Sequence, residues 1–137
     1  MIKELSVDAN VENITIITEF IDSILEEYEC GMKTKAQIDI AVDELAGNVA
    51  QYAYISDKGD ITVRIEITDE IPKSAVITFI DSGIPYDPIE RSNPVTNLPA
   101  EEREIGGLGI YIVKKTMDDM KYEYKDGQNI LVIRKSI

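Results

Sequence analysis

Ala75-Val76-Ile77-Thr78-Phe79-Ile80 is almost uninterrupted apolar sequence, and it ends on Asp81-Ser82-Gly83-Ile84-Pro85. A bilayer span needs roughly 20 apolar residues, so this run is far too short for one. β-Branched and aromatic residues dominate it, and it reads as a central strand. An aspartate at the end of such a strand can accept a hydrogen bond from an exocyclic amine. The following Gly83 has no side chain to keep a flat ring away from the backbone. The same residues also make an ordinary turn, and alone they do not separate the two readings.

Upstream, Lys58-Gly59-Asp60 forms a turn into Ile61, Val63, Ile65 and Ile67, which alternate with polar residues as in a half-buried strand. Before that turn, Thr34 and Gln37 have capping-box spacing for a helix continuing to about Tyr54. Ile38, Val42, Leu45, Val49 and Tyr52 are its core stripe. Glu44 and Asn48, four apart, share one face of it. At ~100° per residue they fall roughly 80–120° from the centre of the stripe, at the edge of the core. A carboxylate there can take a proton, and an amide oxygen can ligate a hard cation such as Mg²⁺. Taken alone, the pair also fits a solvated helix flank. Further out, Ile2–Val7 reads as a strand, and Asp8 or Asn10 can cap a helix running to about Glu29. Val11, Ile14, Ile17, Ile21, Ile24 and Tyr28 recur along it at helical spacing, and Gly31 is placed to end it in a left-handed turn.

Downstream, residues 82–105 hold Pro85, Pro88, Pro94 and Pro99 before Gly106 is reached. So long a connection in a compact domain is usually functional, a lid over a site, or disordered. Then Gly106-Gly107-Leu108-Gly109-Ile110-Tyr111-Ile112-Val113 opens a third helix, from Gly107 to Met117, on glycines. A helix start presents unpaired N–H groups and the positive end of its dipole, and glycines let an anion come close. No Gly-Lys-Ser/Thr ending is present, so the ordinary P-loop reading fails. Tyr122 and Tyr124 lie on a strand that turns at Asp126-Gly127 into the last strand, 129–135. The order β-α-α-β-β-lid-α-β-β makes an α+β fold. It is a two-layer sandwich with a mixed, mostly antiparallel sheet and three helices on one face.

The chain has 137 residues, the size of one domain, and carries a net charge of −12 from 26 acidic and 14 basic residues. That balance argues against nucleic acid and against anionic membrane as partners. There is no histidine, which excludes Ser-His-Asp chemistry, histidine-ligated metals and phosphotransfer through a histidine of its own. The one cysteine, Cys30, forms no internal disulfide and reads as a packed residue at a helix end. Met1–Asn10 lacks the basic start and apolar block of a signal peptide, so a cytoplasmic location is expected.

Together, the Glu/Asn helix, the strand-end Asp-x-Gly, the long loop and the Gly-Gly-x-Gly helix start resemble the N, G1 and G2 boxes of the GHKL (Bergerat-fold) ATPases. The resemblance covers nearly the whole chain as a single ATP-binding domain, 1–137, with an ATP lid at about 86–105. Within that group the chain is most similar to the anti-sigma factor serine/threonine kinases, through 41–54, 81–88, 101–113 and Met117-Asp118-Asp119. The resemblance implies roles. Glu44 would be the general base, and Asn48 would hold Mg²⁺ against ATP or ADP. Asp81 would read the adenine amine with Gly83 beside the base. Gly106, Gly107 and Gly109 would receive the phosphates. The chain departs from the family at Tyr52, where a histidine is common, and at Ile105, where an arginine is frequent; Arg103 lies two positions earlier. The implied function is phosphorylation of an anti-anti-sigma (STAS-domain) partner together with sequestration of a sigma factor. Family members are often dimers, so a homodimer is implied too. The competing expectations are a nucleotide-gated binding module without kinase activity and, third, the ATPase part of a sensor histidine kinase.

Overall fold

The computed structural model of the chain describes residues 1–54, 58–89 and 107–137. Five strands and three helices occur there: β1 (Ile2–Asp8), α1 (Ile14–Glu27), α2 (Met32–Asn48), β2 (Asp60–Ile67), β3 (Ser74–Asp81), α3 (Gly107–Thr116), β4 (Asp119–Lys125) and β5 (Gln128–Ser136). The sheet order is β1-β2-β3-β5-β4, which puts the apolar run of β3 in the middle as its composition predicts. The expected mixture of strand directions resolves to one: every described pair is antiparallel.

Period-two alternation sets which residues face the helices. Ile61, Val63, Ile65 and Ile67 of β2 are buried, as are Ala75, Ile77 and Phe79 of β3 and Leu131 and Ile133 of β5. They form one core with Ile17, Ile21, Ile24 and Leu25 of α1, Ile38, Ala41, Val42, Leu45 and Ala46 of α2, and Ile110 and Val113 of α3. The register aligns these residues in rows across the sheet. Ile65, Ile77 and Ile133 make one row, and Val63, Phe79 and Leu131 the next. The row after that is Ile61, Asp81 and Asn129. The apolar layer thus ends on a buried polar pair, Asp81 and Asn129, at the C-terminal end of β3.

The helix ends differ in detail from the sequence expectation. Asn10 caps a short 3₁₀ turn, Val11–Asn13, its side chain accepting from Asn13 N at 2.9 Å, and α1 follows. Gly31 does not take the left-handed position. Glu29 does, with φ 57°. Cys30 N then bonds Leu25 O and Glu29 N bonds Glu26 O, both at 3.0 Å, which closes the helix in a Schellman pattern. The chain is already extended when it reaches Gly31 (φ −62°, ψ 152°), which becomes the N-cap of α2. Thr34 and Gln37 therefore lie inside α2 and do not form a capping box at its start. Cys30 packs half-buried against the core at this corner, as expected. At its other end α2 continues through a π-turn, Val49–Ala53. The β4–β5 hairpin turns on Asp126 (φ 54°) and Gly127 (φ 77°), the double left-handed pattern of a tight two-residue turn. Among the described residues no helix is long and apolar enough to cross a membrane.

Candidate functional site

One turn of α2 presents Glu44 and Asn48 beside Leu45, which is in the core. Burial leaves Glu44 Oε1 and Asn48 Nδ2 with no hydrogen-bond partner among the described residues. An unpaired buried polar group costs on the order of 1–3 kcal/mol, so two on adjacent turns are unusual in a surface designed only for packing. Burial also pushes the Glu44 carboxyl above the usual carboxylate range, toward the pH at which it can exchange a proton.

The glycine-opened helix meets Glu44 directly. A Cβ built on Gly109 would lie 2.2 Å from Glu44 Oε2 and 2.3 Å from its Cδ. The absent side chain lets the carboxylate rest against the first turn of α3, where backbone N–H groups have no partner within the helix. Gly107 is the first residue of α3. Gly106 lies outside the described residues, as do Arg103, Ile105 and most of the expected lid, 90–105.

The strand-end residues make the opposite wall. Asp81 Oδ1 accepts from Gly83 N and from Asn129 Nδ2, both at 2.9 Å. Burial raises the Asp81 carboxyl, and the bonds from Asn129 and Gly83 pull it back down. A Cβ on Gly83 would lie 2.2 Å from Ala53 O, so only glycine allows the chain after β3 to pass this close to the end of the π-turn. Ile84 N bonds that same carbonyl at 3.0 Å. Tyr54 ties the two segments further, its hydroxyl donating to Asp60 O at 2.8 Å and accepting from Ser82 N at 2.9 Å.

A pocket opens between these walls. Leu45, Phe79, Ile84 and Leu131 supply its apolar surface, and Asn48, Asp81 and Asn129 its polar groups. Tyr52 and Tyr86 stack across its rim, ring centroids 6.2 Å apart and 21° from parallel. Flat apolar walls with a few convergent polar groups are the usual form of a small-molecule site. The structure thus brings Asn48 and Asp81 to one pocket, with Gly83 against its Ala53 edge and Glu44, one turn before Asn48 on α2, against Gly109. Sequence reading missed Asn129, Tyr54, Tyr86 and Tyr122. Asn129 carried a usable signal: it has the same parity as Leu131 and Ile133, so it is a polar residue on the inward face of an apolar strand.

The residues also bear on whether Mg²⁺ fits. Among the described residues no cluster of three or more histidine, cysteine or acidic side chains is placed to hold a metal. Mg²⁺ needs no such cage, because it is commonly held by one or two protein ligands together with substrate phosphates and water. A single amide at Asn48, one turn from an unpaired buried carboxylate oxygen, fits that mode.

The histidine kinase-like ATPase domain family matches residues 7–135. Proteins called serine-protein kinase RsbW, from Bacillus cereus (strain ATCC 10987 / NRS 248) and Bacillus mycoides (strain KBAB4), are each 24% identical over 140 residues. Each alignment covers 96% of this chain and 82% of the relative.

Proposed function

The chain belongs to the histidine kinase-like ATPase domain family, and from that premise we propose that it is an ATP-dependent serine/threonine kinase acting on a small anti-anti-sigma (STAS-domain) protein. The observation that carries the proposal is the pair of buried, unpaired atoms Glu44 Oε1 and Asn48 Nδ2, one turn apart beside Gly109. A module that only held nucleotide would have no use for a desolvated carboxylate at the start of the glycine-opened helix.

In this reading the adenine lies between the apolar walls, its amine donating to Asp81 and its face near Gly83. Gly109 leaves room for the phosphates at the N-terminus of α3, and the resemblance assigns Gly106 and Gly107 the same role. Asn48 holds Mg²⁺, which when bound neutralises phosphate charge. Glu44 takes the proton from the partner's serine hydroxyl as that oxygen attacks the γ-phosphorus and ADP leaves. Desolvation, which raises the Glu44 carboxyl, makes it the stronger base for that proton. Sequestration of a sigma factor, alternating with binding of the phosphorylatable partner, completes the proposal. It is supported by the resemblance of the whole chain to the anti-sigma factor kinases, as is a homodimeric state.

The test uses labelled ATP, candidate STAS-domain proteins and two forms of the chain. Glu44→Ala should bind Mg-ATP with near wild-type affinity and transfer phosphate about 10²–10⁴-fold more slowly. Transfer by the variant at the wild-type rate would remove Glu44 as the base. A wild-type protein that binds ATP tightly yet phosphorylates no partner would leave a nucleotide-gated binding module instead.

A further inference from the structure

The polar row at the end of the core contains one residue that the proposed chemistry does not use. Asn129 is only 5% exposed, yet every polar atom of its side chain is engaged. Its Nδ2 donates to Asp81 Oδ1 at 2.9 Å and to Ile84 O at 2.8 Å, with Gly83 O further off at 3.5 Å. Its Oδ1 accepts from Tyr86 N at 3.1 Å and from the Tyr122 hydroxyl. These neighbours settle the orientation of the amide. The nitrogen faces a carboxylate and two carbonyls, the oxygen an N–H and an O–H, and a flipped amide would lose every bond.

The consequence falls on Asp81. Among the described residues both hydrogen bonds to its carboxylate end on Oδ1. Oδ2 is the acceptor left for a ligand in the pocket that Asp81 lines. The cross-strand register places Asn129 directly opposite Asp81, so the aim of the carboxylate is set by β5 as well as by β3. The other end of the amide holds the backbone of Tyr86, whose ring stacks with Tyr52 at the rim. One side chain therefore orients the polar reader of the pocket and fixes its aromatic wall.

We propose that Asn129 is the positioning residue for base selection: it holds Asp81 Oδ1 so that Oδ2 presents a fixed acceptor to an exocyclic amine, and it clamps the Tyr86 wall in place. The inference rests on the nucleotide-binding reading above, and its test separates the two. The groups that titrate around Asp81 include the phenols of Tyr54 and Tyr122, both raised by burial above their usual value, so they stay neutral through the acid range. Two further carboxylates face this network through their charge, Asp60 toward Tyr54 and Asp87 toward Tyr122.

The experiment measures calorimetric affinity for Mg-ADP and Mg-GDP from pH 5 to 9 in wild type, Asn129→Leu and Asn129→Asp. The two diphosphates titrate alike, so their affinity ratio isolates the base. Wild type should prefer ADP. Asn129→Leu should lower ADP affinity about ten- to hundred-fold, the loss expected for a hydrogen bond to a charged group, and GDP affinity by a clearly smaller factor through the released Tyr86 wall. The acid limb of the ratio should also move to higher pH, because the Asp81 carboxyl loses a bond that lowers it. A purely structural role would weaken both nucleotides together and leave that limb in place. Asn129→Asp keeps the size and the acceptor for Tyr86 N but loses the donor to Asp81. It should show the same collapse of preference, and it decides the question if the leucine variant does not fold. A folded variant of either kind with the wild-type ratio and pH profile would overturn the inference. Failure of wild type to bind ADP would instead overturn the nucleotide reading.

Discussion

The two ends of the cleft are built on opposite plans. At the Asp81 end the polar groups are tied together, Asn129, Gly83, Ile84, Tyr86 and Tyr122 forming one hydrogen-bonded network that leaves Asp81 Oδ2 as its open acceptor. At the Glu44 end two buried polar atoms have no partner. The glycines differ in the same way. Gly83 lies against backbone, the Ala53 carbonyl, whereas Gly109 lies against the free end of a side chain, the Glu44 carboxylate. One end is organised before any ligand arrives. The other carries unsatisfied groups that a ligand would complete. Binding energy and chemistry can thus be tuned separately, because they draw on different kinds of contact.

The sharpest test of this contrast is a methyl group at each glycine. In Gly109→Ala the new Cβ meets the flexible tip of Glu44, so the carboxylate moves and the backbone stays. Fold and melting temperature should survive, while phosphoryl transfer falls about 10²-fold, the usual cost of ~1 Å of misplacement in a reacting group. Transfer assays beside thermal melts decide it; a variant that is destabilised yet fully active would erase the distinction. In Gly83→Ala the Cβ meets backbone, so strain must spread. Denaturant unfolding should show a loss of about 1–3 kcal/mol even without nucleotide. A Gly83→Ala protein as stable as wild type would mean that the Asp81 end yields as readily as the Glu44 end.

A smaller effect guards against reading too much into unpaired atoms. Asp22 on α1 and Asp39 on α2 also carry buried oxygens without partners. There the two side chains face each other as a hydrogen-bonded pair. Burial first, then the hydrogen bond and charge of Asp22, with a smaller push from Asp43, raise the Asp39 carboxyl to about 7 against the pull of Lys35. Lys35 in turn lies 3.8 Å from Asp22 and 3.4 Å from Glu26. A carboxyl raised in the folded state binds its proton more tightly there than in the unfolded chain. Its contribution is therefore complete below about pH 4 and is lost as pH rises through about 7. Unfolding curves between pH 4 and 8 should show this decline, and Asp39→Asn should flatten it. An unchanged slope in the variant would place the proton elsewhere.

Sequence reading reached different depths at different elements, for physical reasons. Strands and helices were legible where apolar periodicity was strong, as in Ile61–Ile67 by alternation and Ile17–Ile24 by helical spacing. Glu44, Asn48, Asp81 and Gly109 were ambiguous one by one and became readable as site candidates only through the order and spacing that resemble the GHKL boxes. Asn129 was passed over although its parity with Leu131 and Ile133 turns it inward; what only the folded sheet reveals is the cross-strand register that sets it opposite Asp81. Its pairing with Asp81 belongs to the same β3–β5 register that pairs Phe79 with Leu131. The corner after α1 was misplaced by two residues because a left-handed non-glycine, Glu29, did what Gly31 was expected to do. Side-chain propensity predicts which residue is cheapest there, while the helix length demanded by core packing decides which residue arrives. The expected lid falls almost wholly outside the described residues, so Gly106, Arg103 and Ile105 remain readings of the sequence.

The rows of the sheet carry one last consequence. The row Ile65-Ile77-Ile133 lies within the core, but Phe79 and Leu131 of the next row and Asp81 and Asn129 of the row beyond it open into the pocket. A purine seated there would act as an interior residue borrowed from solution. The completeness of the protein's interior would then follow the nucleotide concentration around it, and resistance to unfolding would rise with occupancy across the whole domain.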